Sequence, residues 1–247
     1  MENENIILYN NDCFDILPTI NNNTIDLILC DLPYGITACK WDTPIDLKEL
    51  WKEYKRIIKD DGNIILTASQ PFTSILVCSN LKMFRYEWIW EKPQGTNPMQ
   101  AKFSPLKNHE NILVFSKKRG RYFPQMEKGS PYKGFESKDK KIGEVYGNLK
   151  SIHKENKGSR YPKSVNRFKQ DRKGLHPTQK PVLLMEYLIK TYTRVDDLVL
   201  DNCMGSGTTG EACIKNNRKF IGIEDDDVIF KKASKRLNNL NMVDLFF

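Results

Sequence analysis

The chain has 247 residues, enough to bury a full hydrophobic core as one α/β domain with a sizeable insertion. No apolar run is long enough to cross a bilayer, and the opening MENENIILYNNDCF lacks the basic-then-apolar pattern of a signal peptide, so the expectation is a cytoplasmic protein with no membrane partner. The net charge of +8 is concentrated: residues 117–175 carry 18 Lys and Arg against 6 Asp and Glu, and the rest of the chain carries 21 against 25.

In chain order, residues 6–9 read as a short strand ending at Asn10-Asn11-Asp12, and residues 25–30 (IDLILC) as a buried strand running into Asp31. Asp46 starts a helix to about residue 59, stopped by Asp61-Gly62. A strand over 63–68 follows, then a helix opened by Pro71 through residue 77, then strands over 86–90 and 112–115. Beyond Lys117 the periodicity breaks through residue 175, a stretch too long for an ordinary connection. Regular signals resume with a helix opened by Pro181, to about residue 192. A strand over 198–200, a helix over 208–216, a strand over 220–223 and a helix from Asp226 to about residue 237 complete the chain. Strands alternating with helices imply a Rossmann-like, mostly parallel sheet flanked by helices, with an irregular basic insertion. The expected organisation is 1–116 and 176–247 as two parts of one domain, with 117–175 inserted.

The six cysteines include no Cys-x-x-Cys pair and the three histidines are far apart in sequence. No metal site is expected, and the thiols read as small buried groups.

Two constellations carry chemistry. In LVLDNCMGSGTTGEACI a strand ends at Asp201, and Gly205, Gly207 and Gly210 fit G-x-G-x-x-G before a helix. Glu224 closes the next strand, 19 residues after Gly205. This is a nucleotide-binding βαβ unit, in which the glycines admit the ligand to the backbone and the acid takes ribose hydroxyls. A dinucleotide would place its pyrophosphate at the helix start, where Asp201 repels it. S-adenosylmethionine has no phosphate and carries a cationic sulfur and amine, so it suits the acid better. The second constellation is CDLPYG. A buried strand delivers Asp31, Leu32, Pro33, Tyr34 and Gly35 to its C-terminal end, where open α/β sheets bind ligands. Pro33 stiffens the turn. The Asp31 carboxylate and the Leu32 carbonyl can grip the two N–H bonds of an exocyclic base amine and draw its lone pair out of conjugation, for direct in-line attack on a methyl group. Tyr34 offers a flat face to an extruded base. Cys30 adjoins this turn and reads as core filling.

These residues resemble the amino-DNA methyltransferases that carry an Asp-Pro-Pro-Tyr type tetrapeptide. The order of DLPYG, basic insertion and glycine turn is that of their circularly permuted β group. HPTQKP over 176–181, NNDCFDIL near the start and KNHENILVFSK over 107–117 are also similar to that group. The resemblance, to phage-borne and restriction-linked adenine enzymes, implies S-adenosylmethionine as cofactor, double-stranded DNA as partner and a possible homodimer. Carried over by position, Asp31, Leu32, Pro33 and Tyr34 are the catalytic tetrapeptide, with Asp31 also bordering the cofactor. Asp201, Gly205, Ser206 and Gly207 form the methionine-side turn, Glu224 is the ribose acid and Asp12 lies near the cofactor's adenine. His176, Thr178 and Lys180 close over the methionine end, with Lys180 facing its carboxylate. Leu32 stands where the group has proline, and Asn202-Cys203 where it has Pro-Phe. The implied activity is adenine N6 methylation. Cytosine N4 methylation, an oxidoreductase using the glycine turn and a DNA-binding module with a decayed active site are the alternatives. By charge alone the basic segment reads either as a solvated loop or as a surface that meets phosphates; beside the catalytic signature, 117–175 is expected to be the DNA-recognition insertion.

Overall fold

The computed structural model describes residues 5–35, 44–133, 155–171 and 179–243, with no side-chain statement for 241–243. The described residues fall into two compact units, 1–123 with 164–247 and 124–163.

In the larger unit, β1 (Ile6–Asn10) is followed by the short helix α1 (Cys13–Ile16) and by β2 (Ile25–Cys30). Then come α2 (Leu47–Ile57), β3 (Ile58–Ala68), α3 (Phe72–Ser79), β4 (Phe84–Thr96) and β5 (Lys107–Phe115). Among its described residues the second unit holds the two-residue strands β6 (Glu127–Lys128) and β7 (Ser159–Arg160), paired antiparallel, and a Tyr132–Asn156 bridge. There Arg160 lies over the Tyr132 ring at 4.6 Å. The larger unit resumes with β8 (Val165–Arg167), α4 (Val182–Tyr192), β9 (Leu198–Asp201), α5 (Thr208–Lys215), β10 (Lys219–Glu224) and α6 (Asp227–Val243).

One eight-stranded sheet has the order β1-β10-β9-β2-β3-β5-β4-β8. The first five strands in that order run parallel, β5 is antiparallel to β3, and β4 is antiparallel to β5. Alternation along β2 splits the core into two layers. Ile28 and Cys30 join Leu50, Tyr54 and Phe72 of α2 and α3 on one face. Leu27 and Leu29 join Leu188, Ala212 and Leu237 of α4, α5 and α6 on the other. The sheet buried on both faces explains the continuous apolar strand IDLILC.

Three differences from the sequence expectations have local causes. Helix α2 ends at Ile57 and β3 begins at Ile58, so Asp61-Gly62 lies inside a strand, where Ile58 pairs with Ile25 across an irregular register. Strands β4 and β5 run on past their apolar cores into a polar hairpin. From the basic segment, Val165–Arg167 adds an edge strand beside β4. Part of that segment's charge is also spent internally. Arg121 contacts Asp26 (2.9 Å), Asp61 (2.8 Å) and Asp197 (2.9 Å), and Lys118 contacts Asp60 (2.7 Å), all at the N-terminal edge of the parallel strands. Among the described residues no helix is long and apolar enough to cross a membrane.

Candidate active site

The chain runs from β2 to β3 on one side and from β9 to β10 on the other, while β2 and β9 are themselves neighbours. Their C-terminal ends flank the point where the winding reverses, and open α/β sheets bind ligands there. Asp31 follows β2, Asp201 ends β9, Glu224 ends β10, and Asp12 follows β1. All four acids therefore sit on one edge. Glu224 is two strands from Asp31, about 10 Å at the usual strand spacing.

Both oxygens of Asp31 are held. Tyr34 Oη donates to Oδ1 at 2.7 Å, Thr67 Oγ1 donates to the same oxygen, and Lys180 Nζ donates to Oδ2. Lys180 is 7% exposed and also lies 3.4 Å from Glu110 Oε2, while Lys92 pairs with Glu110 Oε1. Burial alone would push the Lys180 ammonium down, but Asp31, Tyr34 and Glu110 together hold it well above the ordinary lysine value. Its charge is thus matched by carboxylates of the chain itself. The Tyr34 hydroxyl is also pushed up, by burial first and then by Asp31, and stays a proton donor. Its ring stacks on Phe72 at 5.3 Å and 25°. Leu32 is 2% exposed and packs in the core, which anchors the turn where the resembling group has proline.

The second pocket is built on the glycine turn. Gly205 (φ +52) and Gly207 (φ +77) adopt backbone that L side chains rarely take, and a Cβ on Gly205 would meet nothing within 4 Å. Space for a ligand therefore opens directly over the Gly205 backbone. Gly207 begins α5 in the left-handed region. Glu224 Oε2 accepts the Gly205 N–H at 2.9 Å, and Oε1 accepts the Asp226 N–H at 3.1 Å. Burial raises Glu224 to about 7 and Asp201 to about 6. Neither acid has an ion-pair partner among the described residues. A buried acid, Asp201, and a half-buried one, Glu224, beside an open glycine turn suit a cationic ligand and oppose a pyrophosphate. Asp12 caps α1 by accepting the Phe14 N–H (2.8 Å), and the N–H of its neighbour Asn11 reaches the Glu224 carbonyl (3.2 Å). Asn202 is buried and accepts from Tyr54 Oη.

The dipeptide Gln179-Lys180 links the two pockets. Ser206 Oγ donates to Gln179 Oε1 (3.2 Å), while Lys180 holds Asp31. Arg236 of α6 braces the same turn through the Ser206 carbonyl (2.9 Å). His176 and Thr178 lie outside the described residues. Thr67, Phe72, Glu110 and Gln179 are absent from the sequence expectations. Thr67 sits at the C-terminal end of the strand next to β2 and could have been found from that rule; Glu110 and Gln179 lie inside KNHENILVFSK and HPTQKP, which pointed to them without giving a role, and Phe72 leaves no local signal. Cys30 is pushed up to about 12 by burial, so the thiol next to Asp31 is no ready nucleophile.

Residues 25–235 match the DNA methylase family of the N6/N4 type. The type II methyltransferase M1.MboII of Moraxella bovis is 30% identical over 256 aligned positions, covering 94% of this chain and 96% of that protein. The DNA adenine methyltransferase YhdJ of Escherichia coli K12 is 29% identical, covering 96% and 84%. Among solved structures, the M1.HpyAVI complex with S-adenosylmethionine superposes with a TM-score of 0.65 at 26% identity, covering 94% and 100%. The cytosine-N4-specific PvuII methyltransferase, at 15% identity and a TM-score of 0.69 over 96% of this chain and 91% of that one, shares the fold.

Proposed function

This chain belongs to the N6/N4 DNA methylase family, and from that premise we propose that it moves the methyl group of S-adenosylmethionine to adenine N6 of a base extruded from double-stranded DNA. The observation that carries the reading is the shared edge. Asp31, proposed as the catalytic acid, and Asp201 and Glu224, which have no ion-pair partner among the described residues, stand at the C-terminal ends of neighbouring parallel strands, which supports one shared site for base and cofactor. S-adenosylmethionine, when bound, supplies a methyl group on a positively charged sulfur.

The chain's own residues do the rest. Glu224 and Asp12 take the ribose and adenine side, and Asp201 with the turn 205–207 takes the methionine side. Asp31 is kept oriented by Thr67 and Lys180 and accepts one amino N–H, while the Leu32 carbonyl accepts the other. That grip localises the nitrogen lone pair toward the methyl group, and holding the partners in line supplies much of the rate. The proton released afterwards passes to Asp31 or to water. Tyr34 offers a ring face to the extruded base while Phe72 supports the ring by stacking and the Tyr34 hydroxyl holds Asp31. DNA puts this work in the cytoplasm of the bacteria from which the relatives come.

The family also holds cytosine-N4 enzymes, and Asp at the head of the tetrapeptide favours adenine through the resemblance. Incubating the chain with S-adenosylmethionine and genomic DNA, then weighing the digested nucleosides, tests the choice. N6-methyladenine is expected. N4-methylcytosine alone would move the target to cytosine, and no methylated base in any DNA would remove the proposal.

A further inference from the structure

We propose that the tip of the β4–β5 hairpin, residues 97–106, is a wedge that enters the DNA duplex beside the target and fills the space left by the extruded base. The inference rests on the methyl-transfer reading above.

The hairpin rises from the catalytic edge. Thr67, which donates to Asp31, pairs with Ile112 of β5, and the tip begins beyond Lys107, five residues further along the strand. That is about 17 Å at 3.4 Å per residue. The pairing of β4 with β5 jumps from Glu91↔His109 to Thr96↔Lys107, an irregularity of the kind that re-aims a strand.

The tip presents apolar side chains to solvent without collapsing. Met99 is 92% exposed, Phe103 86% and Leu106 48%. Its backbone is closed on itself. Asn97 takes the left-handed region (φ 66), the Gln100 N–H reaches the Asn97 carbonyl (3.0 Å), and the Phe103 and Ser104 N–H groups share the Gln100 carbonyl at 2.8 and 2.9 Å. A Cβ on Gly95 would fall 2.7 Å from Leu106 Cβ, so the two arms cross tightly at the base of the tip.

The chemistry fits a nucleic acid. Residues 97–106 contain no carboxylate, and Lys102, next to Phe103, is exposed. Extruding a base costs unstacking and leaves a gap, which apolar side chains inserted between base steps can fill. The other candidate occupant is a second copy of this chain. A ten-residue tip with three large exposed apolar side chains is small against the roughly 800 Å² per partner of a standard protein interface.

The test uses the full chain, S-adenosylmethionine and two forms of one methylatable oligonucleotide, fully paired or with the target adenine opposite an abasic site. Met99→Ala/Phe103→Ala truncates exposed groups only, so the core is untouched. The variant is expected to lose about tenfold or more in kcat/KM on the paired duplex, to stay within about twofold of wild type on the abasic form, and to keep its cofactor affinity. Phe103→Leu, which keeps an apolar group, is expected to retain most activity on the paired duplex. An equal loss on both forms, no loss on either, or a wild-type dimer that falls to monomer in the variant would overturn the wedge. Wild-type activity on both oligonucleotides secures the parent reading whatever the variants do. A wild type inactive on both would take down the parent reading and the wedge with it.

Discussion

With Glu224 as the proposed ribose acid, cofactor binding is expected to titrate near neutral pH. Burial raises its carboxyl to about 7, and a cationic ligand favours the ionised form. The ionised fraction of such a group falls from about nine-tenths at pH 8 to about one-tenth at pH 6. Affinity for S-adenosylmethionine is therefore full at pH 8 and weakens as pH falls, by roughly tenfold at pH 6, or about 1.4 kcal/mol. Asp201, raised by burial to about 6, steepens the loss below that point. The ligand-free protein behaves oppositely. Its folded state keeps the Glu224 proton to higher pH than the unfolded chain does, so stability declines as pH rises from the ordinary glutamate value toward about 7. The gain in Tm from added cofactor should accordingly grow with pH. Isothermal titration calorimetry from pH 6 to 8, in two buffers of different ionisation enthalpy, reads both the change in Kd and the proton released. Glu224→Gln should bind more weakly at pH 8 and lose most of the pH dependence between 7 and 8. A wild-type Kd that stays flat across this range, with no proton release, would refute the reasoning.

Two further substitutions probe the site and its frame. Lys180→Met leaves the carboxylates of Asp31 and Glu110 facing one another; breaking a buried pair costs about 3–5 kcal/mol, and a side chain of Asp31 that is 32% exposed reduces this to about 2–4. Thermal denaturation should show a fall of roughly 5–15 °C, partly restored by adding Glu110→Gln, with methyl transfer still impaired in the double variant; an unchanged Tm would mean the lysine is not held as described. Gly210→Ala should destabilise although alanine favours helices, because its Cβ would lie 2.8 Å from both Leu237 Cδ1 and Phe220 Cε1; about 1–2 kcal/mol less stability in urea unfolding is expected, and a stabilised variant would show that α6 gives way freely.

Much of this layout was legible because the signals were local. The apolar run IDLILC, Pro71 and Pro181 at helix starts, and the Asp201-to-Glu224 spacing each report on a few neighbouring residues, and the strands and helices they announce are present. Strand β8 left no trace, since three residues of the basic segment become a strand only by pairing with β4. The surroundings of Asp31 were equally hidden. Thr67 is 36 residues away and Lys180 is 149, and only the sheet order brings them together. The motif places Lys180 at the methionine end of the cofactor but carries no sign of the contacts its head group makes with Asp31 and Glu110. Charge counting likewise could not tell Arg121, spent on three aspartates, from a cation left for DNA.

In the proposed reaction, methyl transfer depends on Asp31 above every other side chain. Single-turnover methyl transfer to duplex DNA by Asp31→Ala, with cofactor affinity measured in parallel, tests it most directly. A loss of about a thousandfold or more with cofactor binding largely kept is predicted, since the amine then lacks the acceptor that localises its lone pair. Transfer within about tenfold of wild type would contradict the assignment of the catalytic acid.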